Sequence, residues 1–176
     1  MSSEQKTVLI TGVSGQDGSN MVEYLLENTD YNIVGTVRML SNSNHDNIQN
    51  YMDHSRFSIE SLDLTDPISI RNTFEKIMPD YFINFAAQSF VEVSFAQPTY
   101  TANVSGLGVS RVLDEIRKYN PKIRLYQAST SEMFGSVKDK VMNENTAFHP
   151  ASPYAIAKLY SHWMVSLYRD AYGLHA

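Results

Sequence analysis

The chain has 176 residues, of which 43% are hydrophobic and 19% charged, with a net charge of -5 and no cysteine. This length suits one globular domain, and the composition excludes a disordered or fibrous chain. Lys and Arg form no cluster and no apolar run approaches the ~20 residues of a membrane span, so neither a nucleic-acid partner nor a membrane is expected. Because the N-terminus lacks a secretory layout, we expect a cytoplasmic protein.

Apolar runs alternate with helical patterns, which predicts an α/β fold with a doubly wound parallel sheet of Rossmann type. Strands are predicted at residues 7–10, 31–37, 57–62, 81–85 and 124–128. Helices are predicted at 19–26, 68–77, 100 to about 120, and 153–172, with Gly173 closing the last one. Residues 129–150 lack a periodic pattern and are expected to form an irregular crossover.

Three glycines, Gly12, Gly15 and Gly18, lie between the first predicted strand and the first predicted helix. Glycines in this position allow a tight turn, close approach of the backbone to pyrophosphate, and close packing of helix on strand. The helix N-terminus also attracts negative charge. An ordinary turn can hold three glycines as well, but the flanking strand and helix favour a site for the pyrophosphate of a nicotinamide dinucleotide.

Two side chains are candidates for reading the rest of the dinucleotide. The second strand usually ends in an acidic residue when NAD is bound, whereas an arginine accommodates the 2'-phosphate of NADP. Here the strand ends in Arg38, which favours NADP, although a solvated loop arginine gives the same sequence. Asp63, after the third strand, can accept a hydrogen bond from the adenine amino group or serve as a turn residue. Both interpretations of Asp63 stay open.

Four residues form a predicted catalytic group. Tyr154 and Lys158 lie four residues apart, on one face of the last predicted helix. A free tyrosine is a poor base at neutral pH, but a nearby ammonium and the positive nicotinamide ring favour its phenolate. Thr130 and Glu132 follow the fifth strand, at the carboxyl edge where ligands bind in open α/β folds. There a hydroxyl can hold a substrate oxygen and a carboxylate can take a proton. The alternative is an ordinary turn.

These residues resemble the extended short-chain dehydrogenase/reductase family and, within it, the GDP-mannose 4,6-dehydratases. The resemblance covers essentially the whole chain and rests on the glycine loop and on residues 84–89, 100–104, 127–135 and 152–160. Thr130-Ser131-Glu132 is its most informative part, because dehydratases of glucose nucleotides typically have Thr-Asp-Glu and epimerases usually lack the glutamate. Decarboxylases of nucleotide glucuronic acid can share Thr-Ser-Glu, so this motif alone leaves the substrate open.

The resemblance implies an enzyme, a lyase that converts GDP-mannose to GDP-4-keto-6-deoxymannose. Tyr154 would remove the proton of the sugar 4-hydroxyl, held by Thr130, while carbon 4 gives hydride to NADP. Glu132 would remove the proton on carbon 5 as the 6-hydroxyl leaves, and the hydride would return to carbon 6. Lys158 would bind the nicotinamide ribose and tune Tyr154. No metal is needed because the cofactor supplies the redox step.

The resemblance also extends the cofactor site. Its implied members are Gly12, Gly15, Gln16, Asp17, Gly18, Arg38, Asp63, Leu64, Ala86, Ala87, Gln88, Tyr154 and Lys158. The turn after the second strand reads Arg38-Met39-Leu40-Ser41, where the family commonly has Arg-Arg-Ser-Ser, so NAD stays the alternative cofactor. In the family this loop often reaches a neighbouring subunit's cofactor, and the departure weakens that contact. The resemblance nevertheless implies a homo-oligomer for the full-length protein.

Members of the family are roughly twice this length, and their C-terminal half binds the sugar nucleotide. Residues 174–176 follow the last predicted helix and are expected to open a sixth strand. We therefore interpret residues 1–176 as a partial NAD(P)-binding domain and expect the substrate-binding domain to be absent from this chain. The apolar face of the last helix, including Trp163, Met164 and Leu167, is then expected to be exposed.

Two alternatives remain at this stage. One is another nucleotide-sugar enzyme of the same family, a UDP-glucuronate decarboxylase or an epimerase. The other is a non-catalytic module that only binds a dinucleotide. Such a module has no need for Thr130, Glu132, Tyr154 and Lys158 together, so their joint presence favours an enzyme.

Overall fold

A computed structural model describes residues 5–39, 45–135 and 141–176. The strands are β1 (Thr7–Thr11), β2 (Asn32–Val37), β3 (Phe57–Ser61), β4 (Tyr81–Asn84) and β5 (Arg124–Gln127). The α-helices are α1 (Gln16–Asn28), α2 (Pro67–Ile77), α3 (Val91–Ala96), α4 (Pro98–Thr101), α5 (Gly108–Tyr119) and α6 (Pro153–Tyr172). Short 3-10 helices lie at Asp46–Tyr51 and Ser131–Met133, and a π-helical turn at Ala102–Leu107 joins α4 to α5. Leu40 and Ser41 lie outside the described residues.

The five strands form one parallel sheet in the order β3-β2-β1-β4-β5. The predicted doubly wound, Rossmann-type α/β fold is confirmed, and each strand lies within one residue of its predicted bounds. Because β1 pairs with β2 on one side and with β4 on the other, successive crossovers leave the sheet in opposite directions. A crevice opens at this switch point, beyond the carboxyl ends of the strands.

Side chains alternate between the two faces of the sheet along each strand, and helices cover both faces. On one face Val8 and Ile10 pack with Val22 of α1. On the other face Leu9 packs with Phe74 of α2. The same second core takes in residues of α5 and α6. Helices on both faces therefore fix the sheet, and the strand ends project beyond this rigid support. Among the described helices, none is long and apolar enough to cross a membrane.

Helix α1 begins at Gln16, three residues before its predicted start. Its apolar periodicity only becomes visible from Met21, because Gln16 and Asp17 are exposed and the buried residues of the first turn, Gly18 and Ser19, carry no apolar side chain. Gly12 has a φ of 69°, and a Cβ there would lie 2.9 Å from the backbone nitrogen of Ala86. A Cβ on Gly18 would lie 2.3 Å from the carbonyl oxygen of Gly12. The helix can reach the loop this closely only because Gly18 has no side chain.

Two parts of the helical prediction need correction. The long helix predicted from residue 100 begins at Pro98 and is interrupted by the π-helical turn at Ala102–Leu107. Helix α3 and the two 3-10 helices were not predicted, because three to six residues are too few to display a helical period. One of them, Ser131–Met133, lies within the predicted irregular crossover, of which residues 136–140 are outside the described part of the chain.

Helix α6 ends at Tyr172, and Gly173 caps it as predicted. Residues 174–176 do not form the expected strand. They nevertheless lie beside β5, since the N–H of Leu125 donates to the carbonyl of His175 at 2.8 Å. On α6, Trp163 and Leu167 are 57% and 53% exposed, as expected. The expectation for Met164 is wrong, because Met164 is half-buried against the core that also holds Leu125.

The approach of α1 to the glycine loop generates a stability prediction. Gly18→Ala is expected to lower the free energy of unfolding by about 1–3 kcal/mol, because a methyl group must displace backbone rather than a flexible side chain. Gly106→Ala is the matched control, since its Cβ would meet the Tyr160 ring at an ordinary 3.4 Å. Urea denaturation measures both variants. Equal effects of the two substitutions would show that the contact of Gly18 is unimportant.

Candidate active site and dinucleotide-binding crevice

The crevice at the carboxyl ends of the strands contains a cavity of about 400 Å³. The segments following β1, β2, β3 and β4 all contribute to it, so the parallel sheet itself assembles the site. Its lining is Thr11, Gly12, Ser14, Gly15, Thr36, Val37, Arg38, Leu62, Asp63, Leu64, Phe85, Ala86, Ala87, Gln88, Ser89, Phe90, Tyr100 and Val104. An elongated ligand that bridges the ends of several strands suits this arrangement.

Most of the predicted cofactor residues meet in this cavity. Those that line it are Gly12, Gly15, Arg38, Asp63, Leu64, Ala86, Ala87 and Gln88. Gln16 and Asp17 are exposed in the first turn of α1, and Gly18 is buried against the loop. Asp17 instead lines a separate cleft of about 490 Å³, together with Ala128 and Ser129. The first turn of α1 thus lies between the cavity and the end of β5.

The guanidinium of Arg38 lies at the open side of the cavity, where its Nη1 donates to the hydroxyl of Tyr100 at 2.6 Å. Both side chains line the cavity, although they are 62 residues apart. Sequence reasoning did not select Tyr100 as a site residue, because nothing in its local pattern indicates that α4 folds over the end of β2. The contact holds a positive charge near the position that an acidic residue would take in an NAD site.

Asp63 forms the turn that was one of its two interpretations. Its Oδ1 accepts from the backbone N–H and the hydroxyl of Thr65, at 2.8 and 2.7 Å. The residue also lines the cavity, so this turn holds the carboxylate at the rim of the crevice. Asp63 therefore has a structural role in the turn, and this role uses its Oδ1 but not its Oδ2.

Helix α6 presents Tyr154 and Lys158 from its first turns. The helix starts at Pro153, and the Ser152 hydroxyl caps it by accepting from the N–H of Ala155 at 3.1 Å. Tyr154 is 8% and Lys158 4% exposed, and the Lys158 Nζ lies 6.0 Å from the centroid of the Tyr154 ring. The predicted pairing on one helix face is therefore present, with both groups buried.

The ammonium of Lys158 donates to the backbone carbonyl of Ala128 at 2.7 Å. Burial lowers the pKa of Lys158 from 10.5 to about 8, because the charged form loses hydration. This contact ties α6 to the residue that follows β5. Lys158 also lines a cavity of about 240 Å³ with Gln127, Ala128 and Ser129.

Thr130 and Glu132 lie two and four residues beyond Ala128. Thr130 is extended, and its Oγ1 accepts from the N–H of Glu132 at 3.2 Å, which caps the short helix Ser131–Met133. The hydroxyl of Thr130 keeps its own proton as a donor. Glu132 is exposed. Helix α6 packs against this short helix, so the four predicted catalytic residues are grouped around the end of β5. Their chemical roles stay predictions.

A buried polar network beneath the site was not predicted. Thr11 donates its hydroxyl to Asn84 Oδ1, and Asn84 Nδ2 donates to Gln127 Oε1 at 2.7 Å. Gln127 Nε2 then donates to the carbonyl of Ala128 at 2.9 Å. The network crosses the carboxyl ends of β1, β4 and β5, and it ends on the acceptor that Lys158 uses.

The burial of Lys158 generates a pH-dependent prediction. Burial of this lysine lowers its pKa in the folded protein, so the charged ammonium lowers the free energy of unfolding below pH 8. This loss of stability disappears as pH rises toward and beyond 10.5, where the lysine becomes neutral in both states. Between pH 7 and 10.5 the parent is therefore expected to gain about 3 kcal/mol in unfolding free energy relative to Lys158→Met. Urea unfolding at both pH values tests this, with the exposed Lys122→Met as the control. A difference that does not depend on pH would contradict the burial of the charge.

Comparisons with known proteins agree with this geometry. The family described as GDP-mannose 4,6 dehydratase matches residues 9–176. The chain is 40% identical to GDP-mannose 4,6-dehydratase of Vibrio cholerae over 98% of its length and 48% of the relative. It is 42% identical to GDP-mannose 4,6 dehydratase of Drosophila melanogaster, over 99% of its length and 46% of the relative. The chain thus spans about half the length of the curated relatives it matches.

Among solved structures, dTDP-glucose 4,6-dehydratase from Bacillus anthracis in complex with NAD superposes with a TM-score of 0.82 at 26% identity. The match covers 97% of this chain and 52% of that one. The resemblance noted from the motifs is therefore confirmed by both comparisons. The chain belongs to the GDP-mannose 4,6-dehydratase family.

Proposed function

We propose that this chain supplies the cofactor-binding and catalytic part of an enzyme that converts GDP-mannose to GDP-4-keto-6-deoxymannose with NADP. The observation that carries the proposal is the grouping of Thr130, Glu132, Tyr154 and Lys158 around the end of β5, where helix α6 packs against the short helix Ser131–Met133. Family membership favours dehydration over the other reactions of this fold. The residues that grip the guanine nucleotide would then belong to the half of the relatives that this chain does not span.

The strand-end cavity fits a nicotinamide dinucleotide. The pyrophosphate would bind where Gly12 and Gly15 line the cavity at the start of α1, since the partial positive charge of a helix N-terminus favours an anion. Arg38 would contact the 2'-phosphate, and Asp63 would lie near the adenine. When bound, the nicotinamide takes a hydride from the substrate and later returns it.

Tyr154 would act as the base of the first step. Its phenolate would take the proton of the sugar 4-hydroxyl while the hydride on carbon 4 departs, which leaves a ketone. Lys158 would stand beside this base, because its ammonium lies 6.0 Å from the centroid of the tyrosine ring and both side chains are buried. Thr130 would donate its hydroxyl proton to the same sugar oxygen, since its oxygen accepts from the N–H of Glu132 and its proton is left to donate.

Glu132 would act in the second step. The new ketone acidifies the proton on carbon 5, and a carboxylate can remove it while the 6-hydroxyl departs as water. Glu132 is anchored by its backbone to Thr130, so the side chains that would act at carbons 4 and 5 come from one short helix and the residue that caps it. Glu132 would pass the proton from carbon 5 to the departing 6-hydroxyl, which leaves as water. The hydride would return to carbon 6, and the proton that Tyr154 took would go to carbon 5, so both protons and the hydride are accounted for. The enzyme is proposed to be cytoplasmic and homo-oligomeric.

The cofactor preference can be tested on the chain itself. Arg38→Ala is expected to raise the Kd for NADP about 10- to 100-fold, the loss typical of hydrogen bonds to a charged group. The Kd for NAD should change little because NAD has no 2'-phosphate. Calorimetric titration measures both, and Arg124→Ala, an exposed arginine outside the cavity, is the control. Equal losses for the two cofactors would rule out a 2'-phosphate contact.

Testing the role of Glu132 requires a protein that also has the half of the relatives that this chain does not span. Glu132→Gln is expected to leave the Kd for the dinucleotide unchanged and to slow dehydration about 10²- to 10⁴-fold, since the isosteric amide cannot accept the proton. Glu144→Gln, in the same crossover, is the control. Product analysis by mass spectrometry follows the reaction. Turnover within a few-fold of the parent would refute this role, and release of carbon dioxide or retention of the 6-hydroxyl would refute dehydration.

A further inference from the structure

The direction of every hydrogen bond in the network beneath the site is fixed by its last member. The backbone carbonyl of Ala128 can only accept, and Gln127 Nε2 donates to it at 2.9 Å. The Oε1 of Gln127 therefore faces Asn84 and accepts from its Nδ2. Asn84 Oδ1 can then only accept, so the hydroxyl of Thr11 donates to it, while the backbone N–H of Ala86 donates to Thr11 Oγ1 at 3.1 Å.

The carbonyl of Ala128 therefore has two donors, Gln127 Nε2 at 2.9 Å and Lys158 Nζ at 2.7 Å. A carbonyl oxygen has two lone pairs, so both bonds can form together. Ala128 follows the last residue of β5, and its N–H extends the sheet by donating to the carbonyl of Asn84 at 3.1 Å. The two donors to its carbonyl are side chains, so Gln127 supplies a restraint on this carbonyl that the sheet does not.

We propose that Gln127 is a positioning residue that fixes the carbonyl of Ala128 and, through it, the ammonium of Lys158. A buried ammonium needs a fixed acceptor, because its lost hydration is costly. With one N–H donated to Ala128, the ammonium of Lys158 has two further donors. The catalytic consequence rests on the proposed function, in which Lys158 contacts the nicotinamide ribose and tunes Tyr154. The position of the ammonium itself does not depend on that function.

The charged and titratable groups around Lys158 include Tyr154, His162 and Arg169 on its own helix and Tyr126 on β5. Gln127 is neutral, so it positions the carbonyl without adding charge to this set. Replacing Gln127 with an apolar side chain or with an acidic one is therefore expected to shift the pKa of Lys158 in different directions. This difference distinguishes a positioning role from a general loss of stability.

The first experiment follows Lys158 by NMR in the chain without cofactor, using ¹³C-labelled lysine and Lys158→Met for assignment. In the parent, the ammonium is expected to titrate near its lowered pKa of about 8. In Gln127→Met the ammonium keeps its burial but loses its fixed acceptor, so the midpoint falls. In Gln127→Glu the bond from Asn84 is kept and a carboxylate lies beside the ammonium, so the midpoint rises.

Opposite shifts in the two variants support the positioning role, and any other pattern overturns it. The exposed Gln49→Met is the matched control and should leave the midpoint unchanged. Gln127→Glu preserves the size of the side chain, and the amide spectrum reports whether each variant is folded. The test therefore does not depend on the stability of the methionine variant alone.

The second experiment is a double-mutant cycle on the Kd for NADP. Gln127→Met alone is expected to raise the Kd about fivefold, the loss typical of one hydrogen bond. Added to Lys158→Met it should change nothing further, because its effect passes through Lys158. Independent, multiplicative effects would overturn the inference. If Lys158→Met leaves the Kd unchanged, the proposed contact with the cofactor fails, and the NMR titration still decides the role of Gln127.

Discussion

The site depends on buried polar side chains that join the carboxyl ends of three parallel strands. Thr11, Asn84 and Gln127 come from β1, β4 and β5, and each uses a polar group that the others must satisfy. Leaving one of these groups unpaired would cost about 1–3 kcal/mol. Their mutual pairing therefore fixes the glycine loop after β1 relative to the segment after β5. The positions of the cavity and of the predicted catalytic residues relative to each other depend on this pairing.

The sheet could be predicted because its determinants are local. The three inner strands β1, β2 and β4 are short, largely apolar runs, while the edge strands β3 and β5 also contain polar residues, and a parallel sheet covered on both faces needs little else. Helix α6 was predicted from Pro153 to Tyr172 because a proline at its start and a glycine after its end mark both boundaries. The glycine loop was located for the same reason, since its position between strand and helix is visible in the sequence.

The rest depends on contacts between distant residues. The partners Asn84 and Gln127 are 43 residues apart, and no local period indicates that β4 and β5 pair in this register. The contact of Arg38 with Tyr100 likewise depends on the path of α4, which begins after a six-residue helix too short to show a pattern. The sequence therefore predicted side chains that can take part in catalysis or binding. It did not predict the residues that hold those side chains in place.

The two halves of the proposed reaction differ in how far this chain prepares them. Tyr154 and Lys158 are buried, and their neighbours are fixed by α6 and by the carbonyl of Ala128. Glu132 is exposed, although its backbone is anchored. A carboxylate in water removes a carbon-bound proton poorly, so water has to be excluded around Glu132 when substrate binds. In the proposed reaction, the fold prepares proton removal from the hydroxyl, whereas elimination would depend on closure around the sugar. The proposed dinucleotide binding and the proposed dehydration are therefore separable in experiment.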